Sequence, residues 1–196
     1  PLSLQAALAS AQAGDEIWVA ADVYRPALPG GTIASTFQMK EGVRIYGGFA
    51  GGESLLAERN IALHATTISG DLNNDESLAD NVAHVVTATG LSNLSVLDGF
   101  TITRGHAVGG GNDGLGAGVL VVGGAPVIRN CSFTDNIAQS GGGIGANGAA
   151  ALIDSCAFGP NFAHNGFAVC NISGDTSVVS CTFQGLYPAT GGASGL

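Results

Sequence analysis

A Cys, a Phe and a cluster of small residues return at one interval along the second half of this chain. "RNCSFTDNIAQSGGGIGA" starts at Arg129, "DSCAFGPNFAHNGFAVCN" at Asp154 and "VSCTFQGLYPATGGASGL" at Val179, each 25 residues after the last. With that shift Cys131, Cys156 and Cys181 coincide, as do Phe133, Phe158 and Phe183, and Ile128, Ile153 and Val178. "GAGV" (116–119), "GGGI" (141–144), "GFAV" (166–169) and "GGAS" (191–194) form a second column, and Asn136 meets Asn161. Self-similarity at a fixed period of this size marks a solenoid, in which a repeat buries its apolar face only by stacking on its neighbours.

The repeat unit selects the kind of solenoid. Helical repeats need stretches of about 10–15 residues with apolar spacing near 3.6. Here the segments are short, "GVLVV", "PVIRN", "CSF", "AALID" and "SVVS", rich in Val, Ile, Phe, Cys and Thr, and parted by Gly or Asn. These read as strands turning corners. The leucines of a leucine-rich repeat are missing. The reading is an all-β fold: a single-stranded right-handed parallel β-helix with three short strands in each coil of about 25 residues, its coils stacked about 4.8 Å apart. Ile128, Cys131 and Phe133 are expected to point inward onto their counterparts. Asn136 and Asn161 are expected at a corner, where Asn tolerates left-handed backbone and its amide reaches the next coil.

One domain is expected over residues 1–196. In "SLQAALASAQAGD", Leu4, Ala7, Leu8 and Ala11 fall at helical spacing, with Ser3 as N-cap and Gly14 as stop, so 1–14 is read as a helical cap over the first coil. Residues 15–115 read as irregular coils, with strands in "EIWVAA", "STFQMK", "GVRIYGGF", "ATTISGD", "AHVVTAT" and "LSVLDGFTIT". One enlarged coil lies between Phe100 and Cys131 and carries the loop "GGGNDGLG". The regular coils occupy 116–196, and the whole makes about six or seven turns of the solenoid.

Composition narrows the partners. Hydrophobic residues make up 45% and charged residues only 11%, which excludes a disordered tail. The formal charge is −9, with six Lys and Arg in all, so phosphate backbones and anionic membrane surfaces are poor partners. No apolar run approaches the ~18 residues of a membrane span. The chain begins at Pro1 without Met or a basic-then-apolar leader, so it is expected to be a processed or excised piece of an exported protein.

"GDEIWVA", "YGGF", "DGFTIT", the F-x-x-N phrases at Phe133–Asn136 and Phe158–Asn161, and G-G-G-I at Gly141–Ile144 resemble bacterial extracellular β-helix proteins, specifically the repeats of polymorphic outer-membrane proteins. The resemblance is sharpest from Asp98 onward. It implies a secreted or cell-surface β-helix serving as passenger, stalk or adhesive module, and it implies no single reaction. The third repeat departs from the pattern, since "FQGL" lacks the Asn and "GGAS" ends polar.

The sequence offers few constellations with chemistry in them. In "DLNNDE", Asp71, Asn73 and Asp75 place hard oxygen ligands at alternate positions, the spacing that opens a calcium loop. Glu76 stands where an EF-hand has Gly, and Val82 where it has Glu, while Asp80 could add a carboxylate. The plainer reading is a polar turn rich in Asx residues. Many parallel β-helices of the pectin lyase-like fold act on acidic polysaccharides, and Arg104 with His106 in "TRGH" is the nearest approach to a catalytic pair. The competing reading is an exposed turn. Paired carboxylates of the glycosidase kind are not apparent in the sequence.

The remaining features read as structural. Arg129 and Asp154, one period apart, are expected side by side as a surface ion pair. His64, His84, His106 and His164 show no ligand spacing. Trp18 and the phenylalanines are assigned to the core. Three of the four cysteines share one column, where stacked Cβ atoms lie farther apart than a disulfide prefers, so buried reduced thiols are expected, with one bridge at most. Asn93, Asn130 and Asn171 match glycosylation acceptors. "TIT" at 101–103 does not recur 25 residues on, which argues against a threonine face of the ice-binding kind.

The function expected is a non-enzymatic extracellular structural or adhesive module that self-associates through an open β-helix end into a filament or sheath. The alternative is a polysaccharide lyase, hydrolase or glycan-binding wall rimmed by residues 71–81 and 105–115.

Overall fold

The computed structural model describes residues 3–185. Its strands form four sheets, and every pairing between strands is parallel. The first wall has six strands, Glu16–Ala20, Arg44–Phe49, Val96–Asp98, Val127–Arg129, Leu152–Asp154 and Ser177–Val179. The second wall also has six, Val23–Tyr24, Thr66–Ser69, Phe100–Thr103, Ser132–Thr134, Ala157–Phe158 and Thr182–Phe183. The third has five, Phe37–Gln38, Val86–Thr89, Val119–Val122, Ile144–Asn147 and Val169–Ile172. A fourth sheet of three strands, His106–Ala107, Ile137–Ser140 and Phe162–Asn165, lies between the second and third walls in chain order. The chain thus visits each wall once per pass, the repeating parallel architecture of a β-solenoid, with six coils among the described residues.

In-register pairing stacks like on like. Ile17, Ile45, Leu97, Ile128, Ile153 and Val178 form one inward column of the first wall. Tyr24, Ile68, Ile102, Phe133, Phe158 and Phe183 form that of the second. Phe133 and Phe158 stack with centroids 4.9 Å apart, and Phe158 and Phe183 with centroids 5.2 Å apart. Phe37, Val86, Val119, Ile144 and Val169 face them from the third wall. The fourth sheet contributes only Ala107, Ala138 and Ala163, which pack with Ala117 in a separate small cluster.

Two recurring backbone positions set the corners. Asn130, Ser155 and Ser180 adopt φ of 52°, 53° and 53° just before the cysteine column, and Gly99 does the same one coil earlier. Gly116, Gly141 and Gly166 turn the chain into the third wall at φ of 71°, 65° and 57°, a region costly for a side chain with a Cβ. The fourth member of that column, at 191–194, lies outside the described residues.

Several expectations change in place or partner. Asn136 and Asn161 are buried inside the corner, and Asp135 takes the left-handed conformation at φ 56°. The Asn136 amide does reach the next coil: Nδ2 donates to Asn161 Oδ1 at 3.0 Å and to Ile102 O at 3.0 Å, while Oδ1 accepts from Gly105 N–H at 3.0 Å. Trp18 is 36% exposed and stacks on Phe49 outside the first wall. Arg129 pairs in register with Asp154, yet its ion pair is with Asp98 one coil back, Nε to Oδ2 at 2.7 Å. Asp98 is fully buried because the inserted residues 50–64 fold over it and place Arg59 Nη2 at 2.8 Å from its other oxygen. All four cysteines are free. Hydrogen bonding with the Cys131 thiol, followed by burial, holds the Cys156 thiol well above its usual range.

Helix α1 (Leu4–Ser10) starts as expected, with Ser3 Oγ accepting from Ala6 N–H at 3.2 Å, and buries Leu4 and Leu8 against the first coil. It ends before Gly14, where Lys40 Nζ donates to the carbonyls of Ala9 and Ala11. A cation on the last carbonyls stabilises a helix C-terminus.

The stacked column gives a position-dependent prediction. Phe158→Ala removes a ring packed on both sides and should cost about 3–5 kcal/mol by chemical denaturation. Phe183→Ala should cost clearly less, because that ring is already 44% exposed. Equal losses would contradict the column.

Candidate metal site

The second coil lacks a strand of the fourth sheet, and in its place runs the loop 70–82. Gly70 N–H donates to Thr103 O at 2.9 Å on the third coil, and Val82 N–H to Gly70 O at 3.0 Å. Asp71 and Asn81 form an isolated antiparallel bridge that closes the loop at its base. Leu72 is buried in the core and anchors the ascending arm.

Asx chemistry shapes the rest. Asp71 is 5% exposed, and its carboxylate accepts from Asn74 N–H at 2.7 Å, Asp75 N–H at 3.3 Å and Glu76 N–H at 3.1 Å. Asn74 and Glu76 adopt φ of 58° and 61°, which turns successive amides toward one carboxylate. Asp80 Oδ2 accepts from Asn73 N–H at 2.8 Å, and Asp75 Oδ1 from Ser77 N–H at 2.9 Å. One carboxylate oxygen from each of Asp71, Asp75 and Asp80 lies within 4.8 Å of the other two.

Asp71 and Asp75 are therefore brought together as the sequence suggests, with Asp80 as the third acid. Asn73 Oδ1 accepts from Gly30 N–H at 3.1 Å, which ties the loop to the first coil. Arg25, which the sequence did not single out, donates from Nε to Asp71 O at 2.8 Å and from Nη2 to Asn74 Oδ1. Arg104 and His106 flank the same loop from the third coil. Arg104 Nη2 lies 3.9 Å from Glu76 Oε1, and His106 Nδ1 is 3.0 Å from Leu78 O. A shallow cleft of about 220 Å³ opens between the arginines, with Thr67, Ser69 and Thr103 as its floor.

That floor belongs to a hydroxyl array which the constant period concealed. Thr67, Thr101 and Ser132 pair in register, as do Ser69, Thr103 and Thr134. The enlarged coils separate these residues by more than one period, so a fixed shift passes over them.

The donors at the acidic loop are carboxylate and amide oxygens, a set that suits a hard divalent cation and no soft one. No helix among the described residues is long and apolar enough to cross a membrane. No family model matches the chain, and neither a curated protein nor a solved structure does so.

Near the descending arm, His84 Nδ1 donates to Gly116 O at 3.0 Å. Burial lowers the His84 pKa below its ordinary 6.5, against a smaller opposing pull from that carbonyl and Asp113. The folded chain thus resists a proton that the unfolded chain accepts. The stability this histidine contributes is complete above the unfolded pKa and declines as pH falls through it. Thermal midpoints should drop as pH falls through 6.5, the ordinary histidine value, and the drop should be smaller in His84→Gln. An unchanged slope in that variant would reject the assignment.

Proposed function

We propose that this chain is a non-enzymatic extracellular structural or adhesive module, a right-handed parallel β-helix that self-associates through its last described coil. Right-handed winding follows from the near-universal hand of parallel crossovers, about 98% of cases. The observation that carries the reading is the state of the apolar columns at that coil. Ile153 and Phe158 are 0% and 1% exposed, whereas Val178 and Phe183, one coil on in the same columns, are 43% and 44% exposed. Val179 beside them is 47% exposed. Strands Ser177–Val179 and Thr182–Phe183 are the last of their sheets among the described residues, and such an edge, if nothing covers it, pairs with another chain. The resemblance to polymorphic outer-membrane protein repeats supports a place at a cell surface.

Helix α1 already covers the first coil, so last coil against last coil gives a closed pair. Head-to-tail growth into a filament needs that helix to give way. Calcium is the ion we assign to the acidic loop. Its flexible coordination accepts carboxylates fixed by a protein loop, while magnesium demands a near-ideal octahedron.

A second reading draws on the cleft: Arg25 and Arg104 stand above a hydroxyl floor beside Asp71 and Glu76, and the two guanidinium groups could take the acid groups of an anionic glycan, bound or cleaved. Sedimentation and electron microscopy should reveal pairs or fibres of the purified chain, dispersed by Val178→Asp. Monomers over a wide concentration range would overturn self-association. Turnover of an anionic polysaccharide that disappears in Arg104→Ala would put the second reading first.

A further inference from the structure

We infer that Asp71, Asp75 and Asp80, completed by the side-chain oxygen of Asn81, hold one calcium ion that locks the loop 70–82 onto the neighbouring segment 25–36. The inference rests on the calcium assignment above and adds a fourth donor and a mechanical consequence.

Distance is the first support. Two oxygens bound to one calcium at about 2.4 Å lie no more than about 4.8 Å apart. The three carboxylate oxygens meet that limit pairwise, each within 4.8 Å of the others.

The second support is independent of the acids. Asn81 is 3% exposed, and its Oδ1 has no hydrogen-bond donor. Asp80 Oδ1 is likewise buried without a donor. Buried acceptors are nearly always partnered, so each of these oxygens calls for a donor or a cation. Asn81 stands directly opposite Asp71 in the antiparallel bridge. Residues so opposed project their side chains from the same face, which puts the Asn81 side chain on the face that bears the Asp71 carboxylate.

The consequence follows from what the loop grips. Asp71 O accepts from Arg25 Nε at 2.8 Å, and Asn73 Oδ1 from Gly30 N–H at 3.1 Å. Without a cation, three carboxylates this close repel one another and loosen both contacts. With one, the residues that hold Arg25 and Gly30 are fixed.

The test uses the full chain, stripped with a chelator and then titrated with calcium or magnesium by calorimetry. One calcium per chain is expected, in clear preference to magnesium. Asn81→Leu and, separately, Asp80→Asn should each weaken calcium binding at least tenfold. Hydrogen exchange should show calcium slowing the amides of 25–36 and 71–82, with 127–183 unchanged. Absence of binding would remove both the calcium assignment and this inference. Binding with unaltered affinity in Asn81→Leu, or with no slowing at 25–36, would overturn the inference and leave the assignment standing. If Asn81→Leu does not fold, Asn81→Asp keeps the oxygen and must retain calcium; loss of binding there would count against the site.

Discussion

Everything in this molecule depends on parallel pairing held in register from coil to coil. A parallel ladder puts each side chain directly over its counterpart, so a residue type that suits one coil must suit its neighbours. Aromatic rings satisfy that demand by offset stacking, as Phe133, Phe158 and Phe183 do. Asparagine satisfies it with hydrogen bonds: at the turn the Asn161 amide donates to Gly159 O and gives Phe133 O a second donor beside the ladder bond from Gly159 N–H. An apolar residue there would remove the amide from Gly159 O, and a buried acceptor left without a donor costs about 1–3 kcal/mol. The buried asparagines are therefore part of the architecture, and the thiols beside them play the same part more weakly, Cys131 Sγ lying 3.2 Å from Arg129 O.

Register also dictates where the chain can carry insertions. A coil lengthens mainly at a corner, because an extra residue within a wall disturbs the side chains that follow it; the first wall holds one such irregularity, where Trp18 pairs with Tyr46 but Ala20 with Phe49. The segments 50–64 and 70–82 both leave from corners of the second coil. The first covers an outward position of the wall: Arg59 lies over Tyr46, 5.2 Å from the ring centre, and pairs with buried Asp98. With Arg129 Nε and Asn130 Nδ2 also on that carboxylate, the charge is compensated on three sides. Removal of one partner from such a group is more harmful than the pair is helpful. The second insertion carries the acids, as loops on rigid scaffolds generally carry function.

How far the sequence could be read follows from the same geometry. Constant spacing made the columns at 128, 131 and 133 plain, and Ser3 announced its helix by local capping chemistry. Spacing that varied hid others. Thr67, Thr101 and Ser132 stand in one column, but the coils between them are longer than the regular unit. Arg129 had an acid one coil away on either side, and only burial, which a linear sequence does not display, chose Asp98 over Asp154. Trp18 looked like core by composition, yet strand alternation placed it outside, with its Nε1 donating to Glu16 Oε2. Asn81 carried no signal, because an antiparallel bridge inside a parallel fold has no period to betray it.

A solenoid's energetics are close to one-dimensional, since each coil touches only its neighbours. The acidic loop contacts the first and third coils, through Gly30 and Arg25 on one side and Thr103 and His106 on the other. The exposed ends of the apolar columns at Val178 and Phe183 lie four coils beyond it, with three coils between. An ion bound at the loop thus has no packed route by which to alter that edge except through every intervening coil, each of them already tightly stacked. The proposed cation binding and the proposed self-association would then be separate properties of one scaffold, joined by the register that both inherit.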